Sequence, residues 1–175
     1  MWTPRFPIFF LEMENTKRYI SLSLMLLLAA CFRHEGTKPA PVELTRDNGC
    51  AVCGMIIVDF PGAKAQIHYR KGKYSPFCST LDMFLFYLQP DRPADIVAIY
   101  VNDMGKADAT HPKGHWIDAE KAFYVQGGDI MGPMGEALVP FGERKDAEGY
   151  REKHGGKIIA FTDVTMNMLR PAEKR

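Results

Sequence analysis

Two thiols and a thioether lie within the six-residue stretch CAVCGM, residues 50–55. They belong to Cys50, Cys53 and Met55, and Gly54 between them lets the backbone turn back on itself. Thiolate and thioether sulfurs are soft ligands, which select Cu(I) over hard cations. A single thiolate neutralises the charge of Cu(I), and thioethers complete the coordination shell without adding charge. The stretch therefore predicts a site for a soft metal ion, and Cu(I) fits it well.

Several methionines lie close to glycines rather than on a periodic apolar face. Met55, Met104, Met131 and Met134 are each within two residues of a glycine. Met131 and Met134 flank a Gly-Pro pair in residues 127–135, where the many glycines predict a loop. A lone methionine in a loop usually fills a gap in packing. Two in one loop, together with the CAVCGM stretch, favour metal ligands, and Met104 is a secondary candidate.

The cysteines also fit three other kinds of site. A Cys-x-x-Cys motif can be a disulfide oxidoreductase centre, but that centre needs a helix N-terminus, whereas residues 56–59 predict a strand. A structural zinc site needs four ligands, which Cys78 and a histidine could complete. A plain disulfide between Cys50 and Cys53 would only brace a turn. The motif alone leaves these alternatives open.

Cys78 and His68 are secondary candidates for the metal. Cys78 follows an apolar strand and precedes a predicted helix cap, so it can be a small buried apolar residue or a ligand. His68 alternates with apolar neighbours, which favours a buried, hydrogen-bonded histidine over a ligand. His111 and His115 have the i, i+4 spacing of a helical metal pair, but the proline and glycine between them argue against a helix. We expect both at the surface.

The N-terminus predicts export and lipid anchoring. A Lys-Arg pair precedes an apolar run, residues 19–30, that is shorter than the roughly 20 residues of a membrane-spanning helix. The run ends in LAAC, which resembles the bacterial lipoprotein box, so we expect residues 1–30 to be a signal peptide and Cys31 to carry the lipid. Met13 is an alternative translation start. Residues 31–45 are polar and proline-bearing, and predict a flexible tether.

The composition is that of a globular protein without affinity for nucleic acid. The chain has 175 residues and a formal net charge of +1, and its lysines and arginines are scattered. If Cys31 carries lipid, three cysteines are left, and an odd number leaves at least one thiol free or bound to a ligand.

The apolar patterns predict an α+β fold with two ββαβ units in tandem. Ser79 and Asp82 have the form of a helix cap, and the apolar residues after them predict a helix that ends at Pro90. The first unit, residues 46–118, contains four segments that we expect as strands: 56–59, 65–69, 74–77 and 96–101.

The second unit, residues 119–165, repeats one detail of the first. The spacing of Pro76-Phe77 and Asp82 recurs in Pro140-Phe141 and Asp146, each time between a strand and a helix. Gly142 stands where Cys78 does, so the second unit lacks the thiols. The elements expected here are strands at 122–125 and 157–162 and a helix at 143–154. Residues 166–175 are expected to form a loose tail, with Met166 and Met168 uninvolved in the site.

Taken together, these motifs resemble the NosL family, copper-binding lipoproteins that assist the maturation of nitrous oxide reductase. The resemblance covers nearly the whole mature chain, in family order, through LAAC at 28–31, CAVCGM at 50–55, FCST at 77–80, IYVNDMG at 99–105 and GPMG at 132–135. It implies two ββαβ units with a fold like that of organomercurial lyase. It also implies copper ligands at Cys53, Met55 and Met134, with Cys50 less secure.

The resemblance implies a copper(I) chaperone, tethered to a membrane and facing the periplasm. Copper would pass by ligand exchange to nitrous oxide reductase, in contact with an ABC-type transporter of the same pathway. No substrate bond is made or broken, so the protein is not expected to be an enzyme. Two alternatives stay open: a thiol-based enzyme for disulfide exchange or organometal cleavage, and a zinc-stabilised adaptor domain. Whether one chain or a homodimer forms the site is also open.

Overall fold

The computed structural model describes residues 37–132 and 135–169. All described residues except Thr37 belong to one compact unit, Lys38–Arg175. The predicted signal peptide, the lipidated Cys31 and the candidate ligand Met134 lie outside the described residues. Within these described ranges, no helix is both long and apolar enough to cross a membrane.

The first sheet has four antiparallel strands in the order β2-β1-β3-β4. Strands β1 (Ala65–Tyr69) and β2 (Tyr74–Phe77) form a hairpin, and helix α1 (Thr80–Tyr87) follows β2 after two residues. Strand β3 (Ile96–Asn102) then pairs with β1, and the short strand β4 (Trp116–Asp118) adds to the outer side of β3. The sequence did not predict β4. The arrangement places the start of α1 directly after the end of β2.

The second sheet has three antiparallel strands in the order β6-β5-β7. Strands β5 (Phe123–Gly132) and β6 (Gly135–Phe141) pair with each other, helix α2 (Arg144–His154) follows, and β7 (Lys157–Ala160) returns beside β5. The described residues thus combine antiparallel sheets with two α-helices, as predicted for a mixed α and β fold.

Helix α1 contributes side chains that pack against residues of the second sheet. The fully buried ring of Phe84 lies 5.3 Å from the ring of Tyr124 on β5 and 4.9 Å from the ring of Phe161. The Thr80 hydroxyl donates to the carbonyl of Leu138 on β6. Both sheets and α1 therefore contribute to the larger of two apolar clusters.

Four expected segments differ from the structure. The predicted strand at 56–59 is a 3-10 helix, Ile57–Asp59, with only Ile56 in an isolated bridge to Gly49. Its apolar residues are too few for their periodicity to separate strand from helix. The expected loop at 127–135 is mostly strand: β5 continues to Gly132, and a bulge between Gln126 and Met131 absorbs the glycines.

The third difference is the tail, whose described part is packed. Residues Met166–Leu169 form a 3-10 helix, and Val164 and Leu169 are buried. The side-chain amide of Gln126 donates to the carbonyl of Met168 at 3.2 Å. Packing against the apolar surface of the domain therefore orders this segment, although its sequence has no strong propensity for helix or strand.

The described part of the expected tether, residues 38–45, also lies against the first sheet. Gln66 on β1 accepts from the amide of Val42 at 2.8 Å and donates to its carbonyl at 3.0 Å. The Tyr100 hydroxyl donates to the Pro39 carbonyl at 2.7 Å, and Leu44 is buried. A flexible tether is therefore wrong for this part of the segment.

His68 is linked to this contact through Gln66. Its Nε2 lies 2.7 Å from the same Gln66 Oε1 that Val42 binds, and its ring stacks on Tyr74. Burial lowers the pKa of His68, since the charged imidazolium loses hydration in the folded protein. The predicted role as a buried, hydrogen-bonded histidine agrees with these contacts.

We expect the folded protein to lose stability at mildly acidic pH because of His68. The folded pKa lies below the unfolded value of about 6.5, so the unfolded chain binds the proton more readily. Stability is full above the unfolded pKa and falls as the pH drops toward the folded pKa, by at most about 1.4 kcal/mol per pH unit. Urea unfolding at about pH 7.5 and about pH 5 should show a smaller loss for His68→Gln than for the wild type. The exposed His111→Gln serves as control and should behave as the wild type does; equal losses in all three proteins would contradict the assignment.

Candidate metal centre

The CAVCGM stretch forms a tight loop that is fastened to β2. The amide of Cys50 donates to the carbonyl of Met55, and the amide of Gly54 donates to the carbonyl of Cys50, both at 2.9 Å. Gly54 has φ +75°, a left-handed conformation that glycine adopts without strain. The amide of Ala51 donates to the carbonyl of Pro76 on β2 at 2.9 Å. The loop is thus held beside the end of β2, two residues before Cys78.

Cys78 lies between β2 and α1, and its position is fixed by the helix cap. The Ser79 hydroxyl accepts from the amide of Asp82 at 3.0 Å, as the sequence predicted. Residues four apart lie on one side of a helix turn, so Asp82 faces Cys78. The Cys78 thiol donates to Oδ2 of Asp82 at 3.0 Å.

Three sulfurs and one carboxylate oxygen come together at this point. One ligand atom from each of Cys50, Cys53, Cys78 and Asp82 lies within 4.8 Å of the others. Sγ of Cys50 lies 3.3 Å from Asp82 Oδ2, and Sγ of Cys53 lies 3.6 Å from Sγ of Cys78. All three cysteines are free thiols. Among the described residues, Cys50 and Cys53 do not form the disulfide that the sequence left open.

The four residues differ in access to solvent. Cys50, Cys78 and Asp82 are buried, whereas Cys53 is half-buried. The second carboxylate oxygen of Asp82, Oδ1, has no hydrogen-bond partner although it is buried. A buried polar atom without a partner is costly, which is common where an ion binds. The cluster is therefore open to solvent at Cys53 and has one buried carboxylate oxygen without a hydrogen-bond partner inside.

The proton affinities in the cluster are strongly perturbed. The pKa of Cys50 is lowered, chiefly by its interaction with the Cys78 side chain, with help from nearby backbone amides. The same interaction raises the pKa of Cys78, and burial raises it further. Burial is also the main cause of the raised pKa values of Asp82 and Cys53. One thiolate can thus form in the interior while its neighbours stay protonated.

A buried lysine braces the backbone that carries Cys78. Lys64 is 3% exposed, and its Nζ donates to the carbonyls of Phe60 at 2.6 Å, Pro61 at 3.1 Å and Cys78 at 3.3 Å. Burial lowers the pKa of Lys64 to about 8, an effect that the nearby Cys78 opposes. This side chain places positive charge close to a cluster that becomes negative when its thiols ionise.

The structure brings together only some of the candidate ligands. Cys53 meets the secondary candidates Cys50 and Cys78. Met55 lies half-buried in the same loop and packs against the core. Met104 and Met131 line a separate apolar cavity of about 460 Å³, and the side chain of Met131 is largely exposed. His68 lies on β1, and its Nε2 is hydrogen-bonded to Gln66 rather than directed to the cluster.

Asp82 is the residue that reasoning from sequence missed. It was assigned only to the helix cap, although its i, i+4 spacing from Cys78 was a signal that the two side chains would meet. The two roles of Asp82 are linked, because the cap at its backbone amide fixes the helix turn that directs its carboxylate toward Cys78.

Comparison with known proteins identifies the family. The family model described as NosL matches residues 41–169. The chain belongs to the NosL family. Two curated relatives are called copper-binding lipoprotein NosL. The protein from Stutzerimonas stutzeri is 36% identical over 156 residues, covering 87% of this chain and 82% of the relative. The protein from Achromobacter cycloclastes is 36% identical over 169 residues, covering 92% and 87%.

A solved NosL structure is also similar. The crystal structure of the copper chaperone NosL from Shewanella denitrificans superposes with a TM-score of 0.70 at 36% identity, covering 74% of this chain and 98% of that protein. The mixed fold of antiparallel sheets and helices is therefore the NosL fold.

For this member of the NosL family, we expect Asp82→Asn to lower the affinity for metal while the protein still folds. The amide keeps the shape of the side chain and an oxygen for the Cys78 thiol, so stability should fall by no more than about 1 kcal/mol. Copper affinity should fall by roughly 10–100-fold, the effect typical of groups that orient metal ligands. Competition with a Cu(I) chelator measures the affinity. Asp59→Asn, a surface change in the ion pair with Arg46, is the control and should leave it unchanged; an equal affinity in all three proteins would show that Asp82 has no part in the site.

Proposed function

We propose that this protein is a Cu(I) carrier whose cargo binds at the cluster of Cys50, Cys53, Cys78 and Asp82. The observation that carries the proposal is the convergence of three free thiols within 4.8 Å of one another. Thiolates prefer Cu(I) among the biological metals, and the relatives and the solved structure are named for copper. Met55, two residues after Cys53 in the same loop, is a further ligand in this proposal, and Met134 another.

Copper would enter and leave by ligand exchange at Cys53. Cys53 is the half-buried member of the set, so a partner's thiolate or imidazole can reach a metal ion there while the buried donors still hold it. Cys50 and Cys78 anchor the ion from the inside. An ion held with one side open can pass to an acceptor without being released into solution.

The geometry disfavours the alternative of a thiol-based enzyme. A nucleophilic cysteine must be both accessible and ionised at neutral pH. The accessible thiol here is Cys53, and burial raises its pKa rather than lowering it. The Cys-x-x-Cys motif is followed by a three-residue 3-10 helix, not by an α-helix that could stabilise a thiolate. A carrier that makes and breaks no substrate bond fits better.

The other alternative, a zinc-stabilised adaptor domain, would need the metal to fold, and loss of structure on chelation would favour it.

The wider setting follows from the family. We propose that Cys31 carries a lipid, that the folded body faces the periplasm from a bacterial membrane, and that copper goes to nitrous oxide reductase with the help of an ABC-type transporter. Relatives named lipoprotein and chaperone support this setting. The order strand, strand, helix, strand occurs twice along the chain, with β4 added after the first set, which supports two ββαβ units in tandem.

Titration of the purified full chain with Cu(I) under reducing conditions tests the function. The wild type should bind one ion per chain tightly, and the triple variant with Cys50, Cys53 and Cys78 all replaced by serine should bind none at this site. The control is Zn²⁺ in the same assay, which should bind more weakly, as expected for a sulfur-rich site that holds a monovalent ion. Unchanged Cu(I) stoichiometry and affinity in the triple variant would overturn the proposal.

A further inference from the structure

The thiols of Cys53 and Cys78 lie in contact although they belong to different segments. Their sulfurs are 3.6 Å apart, and 25 residues of sequence separate them. We propose that Cys53 and Cys78 form a reversible disulfide with small disulfide oxidants, and that this bond closes the metal site. Closure of the metal site by this bond rests on the proposed function, whereas formation of the bond does not.

Access to solvent makes Cys53 the thiol that an oxidant meets. Cys53 is half-buried, whereas Cys50 is 4% exposed and Cys78 is fully buried. A disulfide such as oxidised glutathione is too large to reach the two inner sulfurs while the cluster is folded. The first reaction therefore takes place at Cys53.

The second reaction is then directed to Cys78. Its sulfur contacts that of Cys53 at 3.6 Å, and a disulfide needs a separation of about 2.05 Å. The change is small enough for a shift of the loop that carries Cys53. The Cys50 sulfur also lies within 4.8 Å of both of these sulfurs, but its hydrogen bond is to Oδ2 of Asp82, at 3.3 Å. The product thus differs from the Cys50–Cys53 bond that the Cys-x-x-Cys motif suggests.

The exchange proceeds in two balanced steps. Cys53 first gives its proton to solvent, and the small thiolate fraction attacks one sulfur of oxidised glutathione. This attack breaks the glutathione S–S bond and releases one glutathione thiolate, which takes up a proton from solvent. Cys78 then attacks the Cys53 sulfur of the mixed disulfide, its proton passes to the departing second glutathione thiolate, and the Cys53–Cys78 bond forms. Two protein thiols are oxidised while one glutathione disulfide is reduced to two glutathione thiols.

Bond formation and copper binding exclude each other. The disulfide removes two of the three sulfurs of the cluster and leaves Cys50 alone with Asp82. Conversely, Cu(I) held by Cys53 and Cys78 occupies the electron pairs that attack a disulfide. The empty carrier would therefore be oxidised in an oxidising compartment, and the loaded carrier would be protected.

Disulfide mapping of the full chain, purified in detergent, tests the bond without copper. The reduced protein is equilibrated in glutathione buffers with a rising oxidised fraction, free thiols are blocked with N-ethylmaleimide, and tryptic peptides are read by mass spectrometry. Trypsin cuts after Lys64 and Lys73, so Cys78 leaves on a different peptide from Cys50 and Cys53. We expect a bond between these two peptides as the main product, with fragmentation placing it at Cys53 and Cys50 carrying the blocking group.

Two variants and one copper arm complete the test. Cys50→Ser should keep the bond between peptides within about twofold of the wild-type yield, and Cys78→Ser should abolish it. Preloading with one equivalent of Cu(I) should slow bond formation at least about tenfold. A main product joining Cys50 to Cys53 or to Cys78, or no bond within the chain, would overturn the inference. If the bond forms but the reduced protein binds no Cu(I), the proposed function fails and the disulfide stands.

Discussion

Replacing Cys78 by serine is expected to weaken Cu(I) binding by at least about 100-fold, beyond the effect of losing a group that only orients a ligand. Serine offers a hard oxygen where the cluster has a soft sulfur, so the metal loses a donor. The protein should still fold, because the serine hydroxyl can donate to Asp82 as the thiol does. The result is a selective loss of affinity, measured by competition with a chromogenic Cu(I) chelator.

The control for this change removes a sulfur outside the cluster. Met166 lies in the C-terminal 3-10 helix and was not a predicted ligand. Met166→Leu should leave the affinity for Cu(I) within about twofold of the wild type. If Cys78→Ser binds copper as tightly as Met166→Leu, Cys78 is only a small buried residue of the core, the other interpretation that the sequence allowed.

Replacing Phe84 by alanine is expected to lower the free energy of unfolding by about 3–5 kcal/mol, as for other buried phenylalanines. The ring is fully buried and contacts Tyr124 and Phe161, so truncation leaves a cavity where α1 meets residues of the second sheet. Total stability of such a domain is about 5–15 kcal/mol. Urea unfolding followed by far-UV circular dichroism measures the loss.

Fluorescence of Trp116 on β4 gives a second probe of the same transition. Because Phe84 belongs to a core shared by both sheets, the two probes should report one common midpoint in the variant. Phe86→Ala is the matched control: its ring is half-buried against Phe77, and the loss should be clearly smaller. Equal losses for the two variants would show that Phe84 does not hold the core together.

Local chemistry explains why much of the fold could be predicted. Strands β1 and β2 match the expected segments 65–69 and 74–77, and the hydroxyl of Ser79 caps α1 at the amide of Asp82. The second helix begins within one residue of the expected position. These features depend on residues close together in the chain, so a sequence pattern contains enough information to predict them.

Features that depend on tertiary contacts could not be predicted in the same way. The glycines near Met131 have no preference for a strand, and pairing with β6 imposes one. The segment at Leu44 and the tail at Leu169 are ordered by the apolar surfaces that they cover. Local pattern could not reveal either partner surface.

The candidate site shows the same division. The sequence identified Cys53 and its neighbours as sulfur donors, because soft ligands are recognisable by type alone. It left Cys78 as a secondary candidate and missed Asp82, because their place in the site depends on the hydrogen bond between Ala51 and Pro76 that fastens the loop to β2. Contact between residues 25 positions apart required the fold.

X-ray absorption spectroscopy of the Cu(I)-loaded protein tests the central claim most directly. A site built by Cys50, Cys53 and Cys78 predicts a first shell dominated by sulfur, with at least three sulfur neighbours in the wild type and one fewer in Cys78→Ser. A first shell dominated by nitrogen or oxygen, or a sulfur count that Cys78→Ser does not change, would contradict it.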